Sequence, residues 1–194
     1  MKSFRTEKRV AKVERVLKAR QGSLMVVIEN VHDPHNVSAI FRTCDAVGIP
    51  CISLVYTKEQ FPKIGRKSSA SAFKWVVKEK YKSVKECYSE LRSKEFKIYA
   101  SALKEKSMSL YDIDFTNKIA VVLGNEHRGA SVEAADLADE TFMIPMYGMV
   151  QSLNVSVATA VILYEALRQR QRKGMYDLLN EAELEEKSES WLKK

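Results

Sequence analysis

Short apolar runs that alternate with helix-like segments constrain the fold of this 194-residue chain more than any other feature. The runs Leu24–Ile28, Ile52–Tyr56 and Ile119–Leu123 are rich in β-branched residues, which is typical of buried strands. Between the first two runs, apolar residues recur at helical spacing from Val37 to Val47. Alternation of this kind predicts an α/β fold: one mostly parallel sheet with helices on both faces.

Further elements follow from caps and apolar patterns. Asn36 and Ser83 are predicted to cap helices, because their short polar side chains can accept a bond from the free N–H groups of a first turn. The predicted elements in the rest of the core are a strand at Trp75–Val77, a helix at Ser83–Arg92, and strands at Phe96–Ser101 and Phe142–Ile144.

The chain length fits one domain with extensions. Residues 1–22 are predicted to form a basic N-terminal helix that Gly22 ends, and residues 23–172 form the core. Residues 173–194 are predicted to be a C-terminal helical tail outside the core, in which Asn180 and Glu183 have capping-box spacing.

Positive charge is concentrated in three clusters. The net charge is +7, but residues 1–20 alone hold eight Lys and Arg against two Glu, and residues 63–82 hold seven against one. Arg168, Arg170, Arg172 and Lys173 form the third cluster. Separate local clusters favour a polyanionic partner that contacts the protein over an extended surface. The alternative is that the clusters are ordinary solvated surfaces. The residues predicted to bind RNA are Arg5, Lys8, Arg9, Lys12, Arg15, Arg66, Lys67, Arg168, Arg170 and Arg172.

Several classes of protein are disfavoured. No apolar run approaches the ~18 residues of a membrane span, so a cytoplasmic location is expected. The three cysteines are odd in number and lack C-x-x-C spacing, which indicates reduced thiols and no zinc. His32, Asp33 and His35 lack further ligands, so no metal is expected. Neither a P-loop nor a G-x-G-x-x-G motif occurs.

Two loops are candidates for a ligand site. Gly124–Gly129 follows a predicted strand directly, and Ser131 opens the next helix. Pro145 and Gly148 break regular structure before a long helix that either Ser152 or Asn154 caps. Loops at the carboxyl ends of strands hold ligands in open α/β sheets, whereas a simple capped core helix explains the second loop equally well.

Three motifs in order carry a resemblance. They are Asn-Val-Ser-Ala-Ile-Phe-Arg from Asn36 to Arg42, Gly-Asn-Glu-His-Arg-Gly-Ala-Ser from Gly124 to Ser131, and Ile-Pro-Met-Tyr-Gly-Met-Val-Gln-Ser-Leu-Asn-Val from Ile144 to Val155. Together they resemble the SPOUT superfamily of RNA methyltransferases and, within it, the TrmH family of ribose 2′-O-methyltransferases. The resemblance covers roughly residues 23–170.

The resemblance implies a fold and a function. It implies a deep trefoil knot in the C-terminal part of the sheet, S-adenosylmethionine (AdoMet) bound in the knot, and a homodimer. The dimer would pack through the last core helix and build its active site from both subunits. The implied reaction is 2′-O-methylation of a tRNA ribose, and the implied target is the guanosine at position 18 in the D-loop. Ribosomal RNA, a tRNA anticodon-loop ribose, and a non-catalytic RNA-binding role are the alternatives.

The same resemblance assigns site residues. Ser101, Gly124, Ile144, Ser152 and Leu153 would bind the cofactor. The catalytic set would be Arg42, Asn36, Glu126 and Asn154. A guanidinium has a pKa above ~12 and stays protonated, so we expect Arg42 to hold the substrate phosphate and stabilise the forming alkoxide rather than act as a base.

Overall fold

The computed structural model describes residues 6–58, 60–62, 72–125, 129–176 and 181–192. In these ranges seven strands form one all-parallel sheet in the order β3-β2-β1-β6-β4-β7-β5. The strands are β1 (Leu24–Glu29), β2 (Cys51–Val55), β3 (Val77–Tyr81), β4 (Lys97–Ser101), β5 (Met108–Ser109), β6 (Ile119–Leu123) and β7 (Glu140–Met143).

Seven helices surround or flank the sheet in the described ranges. They are α1 (Glu7–Lys18), α2 (Pro34–Ala46), α3 (Ala72–Trp75), α4 (Val84–Ser93), α5 (Val132–Leu137), α6 (Val155–Arg172) and α7 (Glu181–Leu192). A short 3₁₀ turn occupies Leu110–Asp112. None of the helices in the part of the chain that the structure describes is both long enough and apolar enough to cross a membrane.

The central strands are buried on both faces, as the apolar runs predict. Every residue of β1 and β6 is buried. Side chains alternate along a strand, so Val26 and Ile28 join one core with residues of α2 and α6, while Met25 and Val27 join another with residues of α4 and α5. The predicted parallel sheet with helices on both faces is confirmed.

Two of the predicted caps are confirmed and one is wrong. Ser83 accepts the N–H of Glu86 at the start of α4, as predicted. Helix α2 begins at Pro34, however, and its cap is Asp33, which accepts the N–H of His35. Proline is favoured in the first turn because it has no N–H to satisfy, so the helix begins upstream of Asn36. The side chain of Asn154 caps α6 by accepting the N–H of Ser156, which decides between Ser152 and Asn154.

The strand predicted at Trp75–Val77 is wrong in position. Trp75 ends the single-turn helix α3, and the strand runs from Val77 to Tyr81 beside β2. This edge strand is mostly exposed and carries Lys78, Glu79 and Lys80, so it lacks the apolar pattern that marks the central strands. The two-residue strand β5 is too short to be visible in a pattern.

Helices α1 and α7 pack against each other beside the core. The ring of Trp191 on α7 lies 4.9 Å from that of Trp75, and the guanidinium of Arg20 lies 5.0 Å from the Trp191 ring. Arg20 also pairs with Asp45 at the end of α2 at 2.6 Å. The tail therefore contacts the core through an aromatic and cationic cluster. Asn180, the predicted cap of the tail helix, lies outside the described residues.

Arg170 is not an RNA-binding residue, and that prediction is corrected. Its side chain is fully buried near the end of α6, where burial lowers the pKa of the guanidinium. All five N–H donors are used: they bind the backbone oxygens of Phe115, Ser23 and Asn117 and the side chains of Gln21 and Ser23, at 2.8–3.1 Å. Alternation of Arg168, Arg170 and Arg172 in the sequence hid this difference, because it depends on the direction of one side chain.

Candidate active site

The carboxyl ends of β4, β6 and β7 surround a cleft of about 520 Å³. The loops after the three strands contribute its walls, together with the first turns of α5 and α6. This is the edge of a parallel sheet at which ligands bind in open α/β folds. All five residues predicted to bind the cofactor line this one cleft: Ser101, Gly124, Ile144, Ser152 and Leu153.

Gly124 is required by close packing of the loop after β6. A Cβ atom at this position would lie 1.9 Å from the backbone nitrogen of Ala130 and 1.9 Å from the backbone carbon of Gly129. The loop folds back on itself, because Asn125 and Gly129 form an isolated antiparallel bridge in which the Gly129 N–H donates to the Asn125 oxygen at 2.8 Å. No side chain fits there, so the cleft wall at Gly124 is backbone.

Two predicted catalytic residues from distant parts of the chain meet beside the cleft. The Nδ2 of Asn154 donates to the Oδ1 of Asn36 at 3.1 Å. The other end of the Asn154 amide caps α6: its Oδ1 accepts from the N–H and the hydroxyl of Ser156 at 2.9 and 2.6 Å. Asn36 is 7% exposed in the first turn of α2, and Asn154 lies between Leu153 and Val155, which both line the cleft.

Arg42 is exposed on α2 and does not line the cleft. It follows Asn36 by six residues, which places it about 9 Å further along the helix axis. The structure therefore brings Asn36 and Asn154 together but leaves Arg42 apart from them. Glu126, the fourth predicted catalytic residue, lies outside the described residues.

The nine predicted RNA-binding residues other than Arg170 fall into three groups. Lys8, Arg9, Lys12 and Arg15 are exposed on α1, where Val13 and Leu17 face the protein. Arg168 and Arg172 are exposed on α6, and Arg168 forms two hydrogen bonds with Glu165, at 2.8 and 2.7 Å. Arg5, Arg66 and Lys67 lie outside the described residues.

Sequence reasoning missed two kinds of residue here. Leu103 and Val132 are exposed apolar side chains in the cleft wall, and no periodic pattern marks them. Glu29, Asn30 and Asn125 line a second cavity, of about 370 Å³, which shares Asn125, Gly129, Ala130 and Val132 with the first. The one signal for this group was their position, directly after the buried runs β1 and β6.

Known proteins are similar in sequence to this chain over most of its length. A model of the family described as SpoU rRNA methylase matches residues 23–164. The tRNA (guanosine(18)-2′-O)-methyltransferase of Thermus thermophilus is 47% identical over 173 residues, which are 89% of each chain. The enzyme of the same name from Aquifex aeolicus is 42% identical over 95% of this chain and 89% of its own.

Solved structures with a similar fold are also described as TrmH or SpoU proteins. The crystal structure described as the A. aeolicus TrmH/SpoU tRNA modifying enzyme superposes with a TM-score of 0.87 at 42% identity and covers 95% of each chain. The SpoU methyltransferase AviRb from Streptomyces viridochromogenes, solved with AdoMet, has a TM-score of 0.67 at 25% identity, over 78% of this chain and 59% of that one. The resemblance of the three motifs is thereby confirmed, and the chain belongs to the SpoU rRNA methylase family.

Proposed function

We propose that this chain transfers a methyl group from AdoMet to the ribose 2′-oxygen of guanosine 18 in the D-loop of tRNA. The observation that carries the proposal is the single cleft that the predicted cofactor residues share, with the Asn36–Asn154 pair beside it. The high identity to tRNA (guanosine(18)-2′-O)-methyltransferases over nearly the whole chain supports the choice of substrate.

The cleft fits the cofactor by its chemistry. Backbone amides and carbonyls at Gly124, Ile144 and Leu153 can meet the polar edges of a nucleoside and an amino acid. The absence of a side chain at Gly124 lets the loop after β6 close against its own backbone at Gly129 and Ala130, which line the same cleft. Leu103 and Val132 offer apolar surface for an aromatic ring. When bound, AdoMet supplies an electrophilic methyl group on a sulfonium.

The residues beside the cleft then position the acceptor. Because the Asn154 amide is held by both the α6 cap and Asn36, it is fixed before substrate binds, and it can orient a ribose hydroxyl without rearrangement. Arg42 is proposed to hold the substrate phosphate and stabilise the alkoxide as it forms, with the proton leaving to that phosphate or to water. Asn36 and Glu126 are proposed to orient this arrangement.

A homodimer completes the proposed site. Arg42 stands outside the cleft of its own protomer, so a second subunit would have to supply it. Val157 and Tyr164 are exposed on α6 at a spacing of seven residues, which places them on one side of the helix. Tyr147 and Met149, in the loop before α6, are each 99% exposed. An apolar surface of this kind favours a protein partner, and we propose that a second copy covers it through α6.

The trefoil knot is also proposed. Family membership supports it, as does the return of the loop 144–154 to the wall of the cleft that Gly124 and Ser101 form. Knots are exceptional among protein topologies, and here the knot would bring these loops together around the cofactor. The proposed substrate, tRNA, is a cytoplasmic molecule, so the proposal includes a cytoplasmic location.

The exposed cations of α1 are proposed to contact the tRNA backbone outside the cleft. Phosphate contacts fix the position of a nucleic acid, whereas contacts to the reacting nucleotide select it. We place the selection of position 18 in the cleft and the binding of the folded tRNA on α1 and on Arg168 and Arg172 of α6.

Incubation with labelled AdoMet and unmodified tRNA transcripts tests the function. We expect label on the ribose at position 18, and none in a transcript with 2′-deoxyguanosine at that position, because the acceptor oxygen is then missing. Label on a base, or label in ribosomal RNA alone, would overturn the proposal.

Ribosomal RNA is the second candidate substrate. The 23S rRNA (guanosine-2′-O-)-methyltransferase RlmB of Pasteurella multocida is 34% identical over 82% of this chain. The identity to this relative is lower, and the match covers only 66% of the relative, so we rank ribosomal RNA below tRNA as the substrate. An anticodon-loop ribose and a non-catalytic RNA-binding role remain further alternatives, which the position of the label and its absence, respectively, would reveal.

A further inference from the structure

We propose that Asn125 and Glu29 are positioning residues for the methyl transfer. Between them they attach both ends of the loop after β6, whose residues Gly124, Gly129 and Ala130 line the cleft, to the end of β1, from which the chain runs to Asn36. The inference rests on the proposed function, and it adds to that function a pair of residues outside the predicted catalytic set.

Asn125 attaches the first end of the loop. Its Nδ2 donates to the backbone oxygen of Asn30 at 2.8 Å and lies 3.4 Å from the Nδ1 of His32. Its backbone oxygen accepts the N–H of Gly129, so the two ends of the loop are also joined to each other. The side chain of Asn125 is therefore bound to the turn after β1, and its backbone closes the loop after β6. Together these bonds fix the positions of the two ends of that loop.

Glu29 attaches the second end of the loop. The residue is 3% exposed, and its Oε2 accepts the N–H of Ser131 at 2.8 Å. Ser131 in turn caps α5 by accepting the N–H of Ala134 at 3.0 Å. A buried carboxylate needs such donors, and hydrogen bonds to a charged acceptor are stronger than those between neutral groups. The second end of the loop is thus held by Glu29, the one Asp or Glu side chain that is buried among the described residues.

The anchor point itself is rigid. Asn30 has a left-handed backbone with φ of 51°, which asparagine tolerates better than most residues. Its Oδ1 accepts the N–H groups of Thr57 and Lys58 at 2.9 and 3.1 Å, so the turn after β1 is also attached to the end of β2. The carbonyl that receives Asn125 therefore cannot move without breaking these bonds.

Asn125 and Glu29 are proposed to act by fixing distances between other groups of the site, without touching the reacting atoms themselves. The turn that begins at Asn30 leads within six residues to Asn36, and Asn36 contacts Asn154. Release of either end of the loop after β6 would shift the cleft wall at Gly124, Gly129 and Ala130, and with it the bound cofactor, relative to that pair. The cofactor would still be held by the other walls of the cleft, at Ser101, Ile144 and Leu153. A misplacement of about 1 Å can lower a rate on the order of a hundredfold, even where ligand affinity is kept.

Four variants test the inference. Asn125→Ala removes the first attachment, and Asn117→Ala is its matched control, because the Asn117 side chain bonds only within its own turn at Asp114. Glu29→Ala removes the second attachment, whereas Glu29→Gln keeps an oxygen for the N–H of Ser131. The measurements are kcat and KM with tRNA, the Kd of AdoMet by calorimetry, and the melting temperature.

We expect Asn125→Ala and Glu29→Ala to lower kcat at least about tenfold while the Kd of AdoMet changes less than about threefold. Glu29→Gln should restore most of the rate, and Asn117→Ala should match the wild type. A kcat for Asn125→Ala equal to that of Asn117→Ala, or a Kd that rises as much as kcat falls, would overturn the inference. If Glu29→Ala does not fold, the kcat of Asn125→Ala and its Kd for AdoMet still test the inference.

The wild-type protein in the same assay separates this inference from the proposed function. A wild type that methylates no tRNA contradicts the proposed function. A wild type that methylates guanosine 18, with Asn125→Ala equally fast, contradicts only the positioning role.

Discussion

At the scale of the residue, Asn154 serves two structures with one amide group. Its oxygen caps α6, and its nitrogen binds Asn36. The two roles can be separated, because serine is as good a helix cap as asparagine but is too short to reach Asn36.

We predict that Asn154→Ser keeps the stability of the protein and loses its activity. Asn154→Ala should lower the free energy of unfolding by about 1 kcal/mol through loss of the cap. Both variants should lower kcat on the order of a hundredfold, because both lose the fixed amide nitrogen. Denaturant unfolding and methyl transfer to tRNA measure the two effects. Full activity of Asn154→Ser would show that the contact with Asn36 is dispensable.

Arg170 and Arg172 should show opposite behaviour on the same helix. Arg170→Met leaves the carbonyl oxygens of Phe115 and Asn117 without the donor that Arg170 supplies, and a buried group left in this way costs about 1–3 kcal/mol. The oxygen of Ser23 keeps the N–H of Ile119 at 3.0 Å. We expect a large loss of stability, measured by denaturant unfolding. Arg172→Met, at an exposed position, should leave stability unchanged and weaken tRNA binding. An Arg170→Met variant as stable as Arg172→Met would contradict this assignment.

Much of the site could be predicted at this scale, but not all. Gly124, Ile144 and Leu153 were predicted together from the resemblance of motifs that are far apart in the sequence, and the structure brings all three into one cleft. The burial of Arg170 could not, because three arginines at every second position of a helix differ only in what lies opposite them. Pairing of Asn125 with Asn30 joins residues 95 apart, which no local pattern indicates.

At the scale of the element, the loop after β6 depends on a backbone approach that only glycine permits. We predict that Gly124→Ala weakens AdoMet binding at least about tenfold and destabilises the protein by about 1–3 kcal/mol, because the new Cβ meets backbone that cannot rotate away. Gly148→Ala is the control: it lies in the neighbouring loop, where an added Cβ meets nothing within 4 Å. Calorimetry with AdoMet compares the two, and equal affinities would contradict the packing argument.

Helix α1 should bind tRNA through charge. We predict that replacing Lys8 and Lys12 by alanine weakens tRNA binding and lowers the slope of log K against log salt by about 1 for each phosphate that the variant no longer neutralises. The rate at saturating tRNA should be unchanged, because α1 lies outside the cleft. Lys85→Ala, an exposed cation on α4, is the control. An unchanged salt slope would remove α1 from the RNA-binding surface.

Elements were predictable where the core imposes a pattern. The bounds of β6 agree with its β-branched run, and Ser83 and Ser131 cap the helices that they precede. The edge strand β3 was misplaced and the two-residue strand β5 was missed, because exposed or very short strands carry little periodicity. The α2 cap was mispredicted because proline, which breaks a helix interior, is also favoured in a first turn.

At the scale of the whole molecule, the separation of Arg42 from the cleft gives a test of the proposed dimer. Arg42→Ala alone should bind AdoMet normally and lose methyl transfer. If Arg42 serves the cleft of the partner, mixed dimers of Arg42→Ala and Asn154→Ser contain one intact site, and random exchange should restore about a quarter of the wild-type activity.

The control for this mixture is each variant alone, exchanged with itself. No recovery in the mixture, together with verified exchange of subunits, would place Arg42 and Asn154 in the same protomer. Light scattering of Tyr164→Glu adds a direct measurement: a charge on the exposed side of α6 should give a monomer if that side is the interface.

The buried guanidinium near the end of α6 has a bearing on synthesis. The backbone oxygens that Arg170 binds belong to residues 53–147 positions earlier in the chain, and these residues lie just before β1 and β6. While a ribosome is still translating α6, the oxygens of Phe115 and Asn117 have no donor from Arg170 and bind water instead. We therefore expect the segment before β6 to reach its final packing only after this last core helix has left the exit tunnel, and a chain truncated before that point to be cut more readily by proteases.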